Sequence, residues 1–224
     1  MLAENSINDS IEENFLVKTF FWMFLGLLGT AISSWYSYST GLLDKIIINK
    51  FLELLLLGEV IVVLLFSFLF KKLPATMVAI LYFAYAFLNG ITFSVIYYAF
   101  DLGSILYVFL ATSLLFGGLA YYGYKTEKDL SNWRTVLTGT LLVGILVSIV
   151  NMFLRRAFID IIIDWVILFI VFGFTVYDMN KIRQLQDIDT LDQNKLHVYG
   201  AMQLYLDFIN IFLRILSLFG KRRK

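Results

Sequence analysis

Ionisable and amide side chains interrupt the last long apolar segment of the chain. Residues 205–216 read YLDFINIFLRIL, which places Asp207, Asn210 and Arg214 among leucine, isoleucine and phenylalanine. A charged side chain at the centre of a bilayer costs at least about 2.5–3.5 kcal/mol. A charge that is kept there despite this cost indicates function, and Asp207 is the first candidate because a carboxylate can hold a proton or a cation.

The polar residues around Asp207 follow helical spacing. They recur at alternating intervals of three and four residues, so they occupy one side of a helix. This face must contact protein or water, because lipid offers no hydrogen-bonding partner. We therefore predict that the last helix is the central one. The members of this polar line are Gly200, Gln203, Asp207, Asn210, Arg214 and Ser217.

Several members of the line have a second explanation. Gln203, Asn210 and Ser217 are also typical of membrane helices that hydrogen-bond to one another. Arg214 lies about 10 Å along the helix axis from Asp207, which is too far for a firm ion pair. We expect its long side chain to extend toward the nearby end of the helix.

The preceding apolar segment, FIDIIIDWVILFIVFGFTVYDMN, supplies a second candidate carboxylate. Asp160, Asp164 and Asp178 share one helical face, and the first two lie at the start of the helix, where we expect a solvated mouth. Asp178 lies at the other end, and Asp207 lies about 14 Å into the returning helix. Two antiparallel neighbours can place these two residues at similar depth. We predict that Asp178 and Asp207 form a carboxylate pair.

Such a pair could carry out two kinds of chemistry. Two carboxylates in a low dielectric cannot easily hold two negative charges, so the pair shares one proton and senses pH. When deprotonated, the same oxygens suit a hard cation such as Ca²⁺, which takes only oxygen ligands. Asp178 and Asp207 are therefore predicted both as a pH sensor or gate and as the metal ligands.

The composition explains why these residues must lie in a membrane. Of 224 residues, 60% are hydrophobic and 17% aromatic, whereas a soluble domain has about 45–50% apolar residues. There is no cysteine and only one histidine, which excludes disulfides, thiol catalysis and histidine-rich metal sites. The net charge of +1 implies no nucleic-acid partner, and no enzyme motif is present. The acidic start MLAENSINDSIEEN is unlike a secretory signal.

Seven segments have the roughly 20 apolar residues that a membrane helix needs. The predicted fold is an all-α integral membrane bundle, one domain over residues 1–224, in which six helices wrap a central last helix. Short connections such as KKLP, DLG and RRA make neighbouring helices antiparallel, and the one long polar connection is 179–196. The predicted helices are 16–38, 51–70, 75–100, 104–124, 135–154, 158–178 and 198–219.

The orientation in the membrane depends on how the basic residues are weighed. Lysine and arginine are almost evenly divided between the two faces, so the positive-inside rule is not decisive. If the C-terminal KRRK is discounted, because the first helices usually dominate, the N-terminus is cytoplasmic. We predict this orientation in a bacterial plasma membrane.

Four segments resemble the Bax inhibitor-1 family, also called the transmembrane Bax-inhibitor-motif family. AMQLYLDFINIFLRILSLFG is similar to its last-helix signature and FGFTVYDMNKI to its helix-six motif. YYGYKTEKDLSNW and LNGITFSVIYY resemble the segment after helix four and the third helix. The resemblance spans nearly the whole chain in order and spacing. It implies seven helices with the last one central, and a passive, pH-sensitive Ca²⁺ leak with Ca²⁺ and protons as partners.

The resemblance also implies roles for individual residues. The paired aspartates of the family fall on Asp178 and Asp207, and its helix-two glutamate falls on Glu59. Bacterial relatives can carry an arginine near the end of helix two that latches the pair, whereas this chain has Phe70 followed by Lys71 and Lys72. Lys71 is the substitute candidate, although a lysine lacks the bidentate fork of arginine.

The last helix departs from the family pattern as well. Ser217 stands where the family often has a basic residue, and Arg214 lies one turn earlier. A latch of altered geometry is therefore predicted. The candidates for supporting or latching the pair are Glu59, Lys71, Asn210 and Arg214.

Three other classes of protein stay open at this stage. An intramembrane aspartyl protease would share the Tyr177–Asp178 pair, but its Gly-x-Gly-Asp motif is replaced here by LYLD. A proton-coupled carrier of a small solute would need broken helices near the midplane, for which Gly90 is the only indication in helix three. A scaffold that regulates other channels is also compatible with an internal polar line. No cofactor is predicted other than Ca²⁺ as the transported or bound ion, and protein partners are not indicated.

Overall fold

The computed structural model describes the backbone of residues 2–185 and 192–223, with side chains from residue 14 onward in those ranges. Predictions about the acidic side chains before residue 14, the connection residues 186–191 and Lys224 lie outside the described residues. The helices are α1 (Leu2–Thr40), α2 (Leu42–Ile48), α3 (Leu52–Leu69), α4 (Ala75–Phe93), α5 (Ile96–Ala99), α6 (Leu102–Lys125), α7 (Ser131–Leu154), α8 (Ala157–Leu185) and α9 (Gln193–Phe219).

The predicted all-α seven-helix membrane bundle is confirmed. Seven helical segments of the described chain are long and apolar enough to cross a membrane. The last of them is the most enclosed: 50% of the residues in its apolar stretch are buried inside the protein, compared with 6–33% for the other six. The central position of the last helix stays a prediction. The spans are Asn14–Thr40, Leu52–Leu69, Ala75–Ala99, Leu102–Lys125, Ser131–Leu154, Ala157–Leu185 and Gln193–Phe219.

The helix ends beside the long connection were predicted wrongly. We placed a polar connection at 179–196, but α8 continues to Leu185 and α9 begins at Gln193. Hydropathy detects only the part of a helix that lies in lipid. The polar residues of MNKIRQL and QNKL are compatible with a helix that continues beyond that part. Asp178 therefore lies about two turns inside α8 and not at its end.

Two short helices were not predicted. Gly41, in the left-handed conformation with φ 63°, separates α1 from α2. The third span is interrupted at Ser94 and Val95, and α5 follows this turn. Gly90, one turn before the interruption, is a packing notch, because a Cβ there would lie 2.5 Å from the Thr30 carbonyl oxygen.

The chain forms two compact units. Unit 1 comprises Met1–Ala99 and Gln184–Tyr205, and unit 2 comprises Phe100–Arg183 and Leu206–Lys224. In unit 1, α1 packs mainly on α4. The Tyr205 hydroxyl lies 2.7 Å from the Thr30 hydroxyl and accepts a hydrogen bond from Asn89 at 2.9 Å. The prediction of one domain over the whole chain stays a prediction.

In unit 2, α6 lies directly against α8. A Cβ on Gly123 would lie 2.5 Å from the Val176 carbonyl oxygen, so only glycine permits this approach. Asn180 then donates to the carbonyl of Thr126 at 2.6 Å, and Arg183 donates to the carbonyl of Tyr124 at 2.8 Å. These bonds satisfy carbonyl groups at the end of α6 that have no partner within the helix.

The predicted turn RRA is stabilised by one amide. Asn151 accepts a hydrogen bond from the Arg156 backbone N–H at 3.2 Å and donates to Asp160 at 2.5 Å. Arg155 caps α7 in the left-handed conformation, with φ 53°. This arrangement reverses the chain between α7 and α8 without proline or glycine.

The residues after α9 are also held by hydrogen bonds. The Asp101 N–H donates to the Lys221 carbonyl at 2.9 Å, and the Lys221 N–H donates to the Ser104 hydroxyl at 2.8 Å. Phe100 and Arg222 form an isolated antiparallel bridge. The start of α6 is therefore tied to the segment that follows α9.

Candidate functional site

The two predicted aspartates lie together in unit 2. Asp178 is on α8 and Asp207 is on α9, and their carboxyl groups are close enough to interact electrostatically. Asp207 is 7% exposed and Asp178 is half-buried. The antiparallel return of α9 against α8 thus brings together two residues that are 29 positions apart (207 − 178) in the sequence.

Asp207 has an incomplete set of hydrogen bonds. The Thr175 hydroxyl, one turn before Asp178 on α8, lies near the Asp207 carboxyl group and is a potential hydrogen-bond donor to it. The same hydroxyl donates to the Val171 carbonyl at 2.9 Å, so its single proton is already used in that arrangement. The Asp207 Oδ2 atom is buried and has no partner among the described residues. A buried carboxyl oxygen without a partner is costly for folding and is typical of a functional position.

One basic residue of unit 2 acts on the pair. Arg134, in the first turn of α7, interacts electrostatically with Asp178. The predicted latch residue Lys71 belongs to unit 1, where its side chain is exposed. Its backbone carbonyl accepts a hydrogen bond at 3.1 Å from Lys195, whose side chain is buried and lies 5.5 Å from the Phe70 ring centroid.

Arg214 extends toward the nearby end of the helix, as expected, and it has a partner there. Its Nη1 atom lies 2.5 Å from Asp164 Oδ1, and Ser217 donates to Asp164 Oδ2 at 2.6 Å. The Asp164 side chain is only 13% exposed, so it is not the solvated mouth residue that we expected. Asn210 is exposed, and its amide donates to the Leu206 carbonyl of its own helix at 2.8 Å.

Glu59 belongs to a polar cluster of unit 1. The Thr92 hydroxyl donates to Glu59 at 2.5 Å, and Glu59 interacts electrostatically with Tyr85 and Tyr205. The structure thus brings Asp178 and Asp207 together and gives Glu59 and Arg214 partners of their own. Among the described residues it gives Lys71 no side-chain partner, and the latch role of Lys71 stays a prediction.

The pair alone does not make a full metal site. No group of three or more His, Cys, Asp or Glu residues lies together in the described part of the chain. Ca²⁺ takes 6–8 oxygen ligands. Any cation held between the two aspartates would therefore need further oxygens from hydroxyl groups, carbonyl groups or water.

Sequence reasoning missed two residues and one pairing that matter at this site. Thr175 lies three positions before Asp178 on the same helical face, so helical periodicity could have identified it. Arg134 was counted only in the charge balance, because we began helix five at 135, whereas α7 begins at Ser131. The pairing of Asp164 with Arg214 depends on how α8 and α9 cross. The spacing of residues within one helix does not predict such a contact.

Comparison with known proteins identifies the family. The family model described as "Inhibitor of apoptosis-promoting Bax1" matches residues 12–224. The chain is 34% identical over 217 residues to inner membrane protein YbhL of Escherichia coli (strain K12), covering 94% of this chain and 93% of the relative. It is 33% identical over 219 residues to an uncharacterised protein of Borreliella burgdorferi, covering 95% and 94%. This multi-pass integral membrane protein therefore belongs to the Bax inhibitor family.

Proposed function

We propose that this protein is a pH-sensitive calcium leak channel, in which Ca²⁺ permeates passively and the pair of Asp178 and Asp207 controls permeation. The observation that carries the proposal is the pair itself. Two carboxyl groups from antiparallel helices interact within an apolar unit, and one of them has a buried oxygen without a partner among the described residues. No comparable observation among the described residues favours an intramembrane protease, a proton-coupled carrier or a scaffold.

The proposed gating follows from the charge of the pair. With one proton between them, the two carboxyl groups can hydrogen-bond to each other and carry one negative charge. When that proton leaves, two charges face each other in a poorly hydrated region, and a divalent cation relieves their repulsion better than water does. Permeation is therefore expected to increase as pH rises through the titration of the pair.

Two neighbouring groups modify this behaviour. The Thr175 hydroxyl can donate to an ionised Asp207 only if it gives up its bond to Val171, so the two protonation states favour different hydroxyl orientations. The guanidinium of Arg134 competes with an incoming cation for Asp178.

The experiment that tests the proposal is Ca²⁺ flux into liposomes that contain the purified protein and an enclosed calcium indicator. Flux is measured across a range of pH for the wild type, Asp178→Asn and Asp207→Asn. Either substitution should change the pH dependence, because an amide cannot titrate and the one carboxylate that is left no longer shares a proton with a second carboxylate. If both variants keep the pH profile of the wild type, the proposal fails.

We also propose that the protein lies in a bacterial plasma membrane with its N-terminus in the cytoplasm. A relative described as an inner membrane protein supports the location. Since the chain has no cysteine, single cysteines can report the orientation with a membrane-impermeant maleimide. Lys45→Cys, after the first span, should be labelled from outside intact cells, and Lys128→Cys, between the fourth and fifth spans, should not. The reverse pattern would invert the proposed orientation.

A further inference from the structure

One hydroxyl group in unit 2 departs from the behaviour of its neighbours. The Thr112 side chain, in the middle of α6, is fully buried, and its Oγ1 atom has no hydrogen-bond partner among the described residues. A hydroxyl without a partner in an apolar environment is costly, more so in a membrane, where water cannot reach it. Thr112 therefore needs an explanation.

Hydroxyl groups in membrane helices can normally satisfy themselves. A serine or threonine can donate to the carbonyl four residues earlier in its own helix. Ser113, the next residue of α6, does so at 2.8 Å, and Thr140 on α7 and Thr175 on α8 do so at 2.8 and 2.9 Å. The same bond is open to any helical threonine, yet Thr112 does not make it, so its oxygen is free to face another group.

The aromatic residues on either side of Thr112 show which helix α6 contacts at this level. Phe109 and Phe116 lie one turn before and one turn after it, and both rings contact the ring of Phe208, with centroids 5.4 and 5.5 Å apart. The buried face of α6 therefore meets α9 at the residue that follows Asp207. Thr112 is the only polar residue on that face, whose buried members are Ile105, Val108, Thr112, Phe116, Ala120 and Gly123.

Unit 2 thus contains two buried oxygens without partners among the described residues, on two helices that touch. One is Asp207 Oδ2 on α9, and the other is Thr112 Oγ1 on α6. A hard cation is the ligand class that uses both a carboxylate and a neutral hydroxyl oxygen. The pair of aspartates also lacks the number of oxygens that Ca²⁺ requires.

We propose that the Thr112 hydroxyl is a further oxygen ligand for the permeating divalent cation, taken up next to Asp207. The inference rests on the proposed function and extends it to a third helix, α6. It gives the cation a neutral oxygen beside the charged pair, so that Ca²⁺ can leave the carboxylates without passing directly into an apolar region.

The test compares Thr112→Val with Thr112→Ser in liposomes of phosphatidylethanolamine and phosphatidylglycerol. Valine keeps the shape of the side chain and removes the oxygen, whereas serine keeps the oxygen. Ca²⁺ flux is recorded against Ca²⁺ concentration, and the melting temperature of each variant is measured in detergent. Thr140→Val is the matched control, because its exposed hydroxyl is satisfied within its own helix.

We expect Thr112→Val to raise the half-saturating Ca²⁺ concentration by about tenfold to a hundredfold, the size expected for the loss of one contact to a charged group. Thr112→Ser and Thr140→Val should behave like the wild type. The melting temperature of Thr112→Val should stay the same or rise, since an unsatisfied hydroxyl has been removed. A residue with only a structural role would not combine weaker Ca²⁺ dependence with equal or greater stability.

Three results would overturn the inference. Unchanged flux in Thr112→Val would show that the hydroxyl does not contact the ion. A lower melting temperature in that variant, together with lower flux, would assign the hydroxyl a structural partner instead. A pH profile of flux that is the same in Asp178→Asn, Asp207→Asn and the wild type would refute the proposed function itself, and the ligand role of Thr112 would fail with it.

Discussion

The ion pair of Asp164 and Arg214 should stabilise unit 2 by a measurable amount, and this can be tested without any assumption about function. Arg214 contacts Asp164 at 2.5 Å, and Ser217 donates to the other oxygen of the same carboxylate. We consider Asp164→Asn, Arg214→Gln and the double variant. Each single change removes one charge; asparagine keeps the shape of aspartate, whereas glutamine keeps only the first part of the arginine side chain.

The expected energy lies between the values for exposed and buried pairs. An exposed pair contributes about 0–1 kcal/mol, whereas breaking a buried pair by removing one partner costs about 3–5 kcal/mol. The Asp164 side chain is 13% exposed and that of Arg214 is 33% exposed, so solvent screens the arginine substantially. We expect a coupling energy of about 1–2 kcal/mol between the two side chains, which is about a fivefold to thirtyfold change in the unfolding equilibrium.

The assay is a double-mutant cycle on unfolding in mixed micelles, where the fraction of denaturing detergent is varied. The free energy of unfolding is measured for the wild type, both single variants and the double variant. Lys45→Gln serves as a control for the loss of a positive charge, since that side chain is exposed. It should change the free energy of unfolding by less than about 0.5 kcal/mol.

Additive effects would refute this reasoning. If the double variant loses the sum of the two single losses, Asp164 and Arg214 do not interact in the folded protein, and the contact has no energetic consequence. A double variant more stable than either single variant would support the pair, because each single change leaves one charge without its partner.

Three further predictions concern packing and hydrogen bonding, and each is checked by the free energy of unfolding. Gly123→Ala should lose about 1–3 kcal/mol, because its Cβ would lie 2.5 Å from the Val176 backbone oxygen, whereas Gly118→Ala, with nothing within 4 Å, should not destabilise. Equal effects of the two changes would contradict the close approach. Tyr205→Phe should lose about 1–3 kcal/mol, because a buried asparagine amide loses its acceptor, and a neutral effect would contradict the buried network. Asn180→Ala should lose about 1 kcal/mol and speed amide exchange in the last turn of α6, and unchanged exchange there would contradict its capping role.

The sequence was most informative where periodicity and membrane chemistry act together. The seven spans follow from runs of apolar residues, because lipid requires such runs. The pairing of Asp178 with Asp207 followed from their positions on two antiparallel helices. This reasoning needs only the rise per residue and the direction of each helix.

The sequence was less informative wherever the rotation or crossing of two helices decides which side chains contact each other. Asp160 and Asp164 share a helical face, yet one contacts an asparagine and the other an arginine. Thr112 and Ser113 are adjacent, yet the Thr112 hydroxyl lies on the buried face of α6 without a partner among the described residues, whereas the exposed Ser113 hydroxyl donates to its own helix. Helix ends outside lipid were also missed, since polar helical residues carry no hydropathy signal.

The hydrogen bonds at the C-terminus have a practical consequence for anyone who attaches a reporter to this protein. Both backbone groups of Lys221 are hydrogen-bonded: its carbonyl accepts from Asp101 and its N–H donates to Ser104. A fluorescent protein or affinity tag fused directly after Phe219 would remove these anchors and release the beginning of α6. The same tag fused beyond Arg223, through a flexible spacer, would leave the anchors in place. Lys221 and Arg222 therefore hold the start of α6 in place, and a truncation of the chain should not remove them.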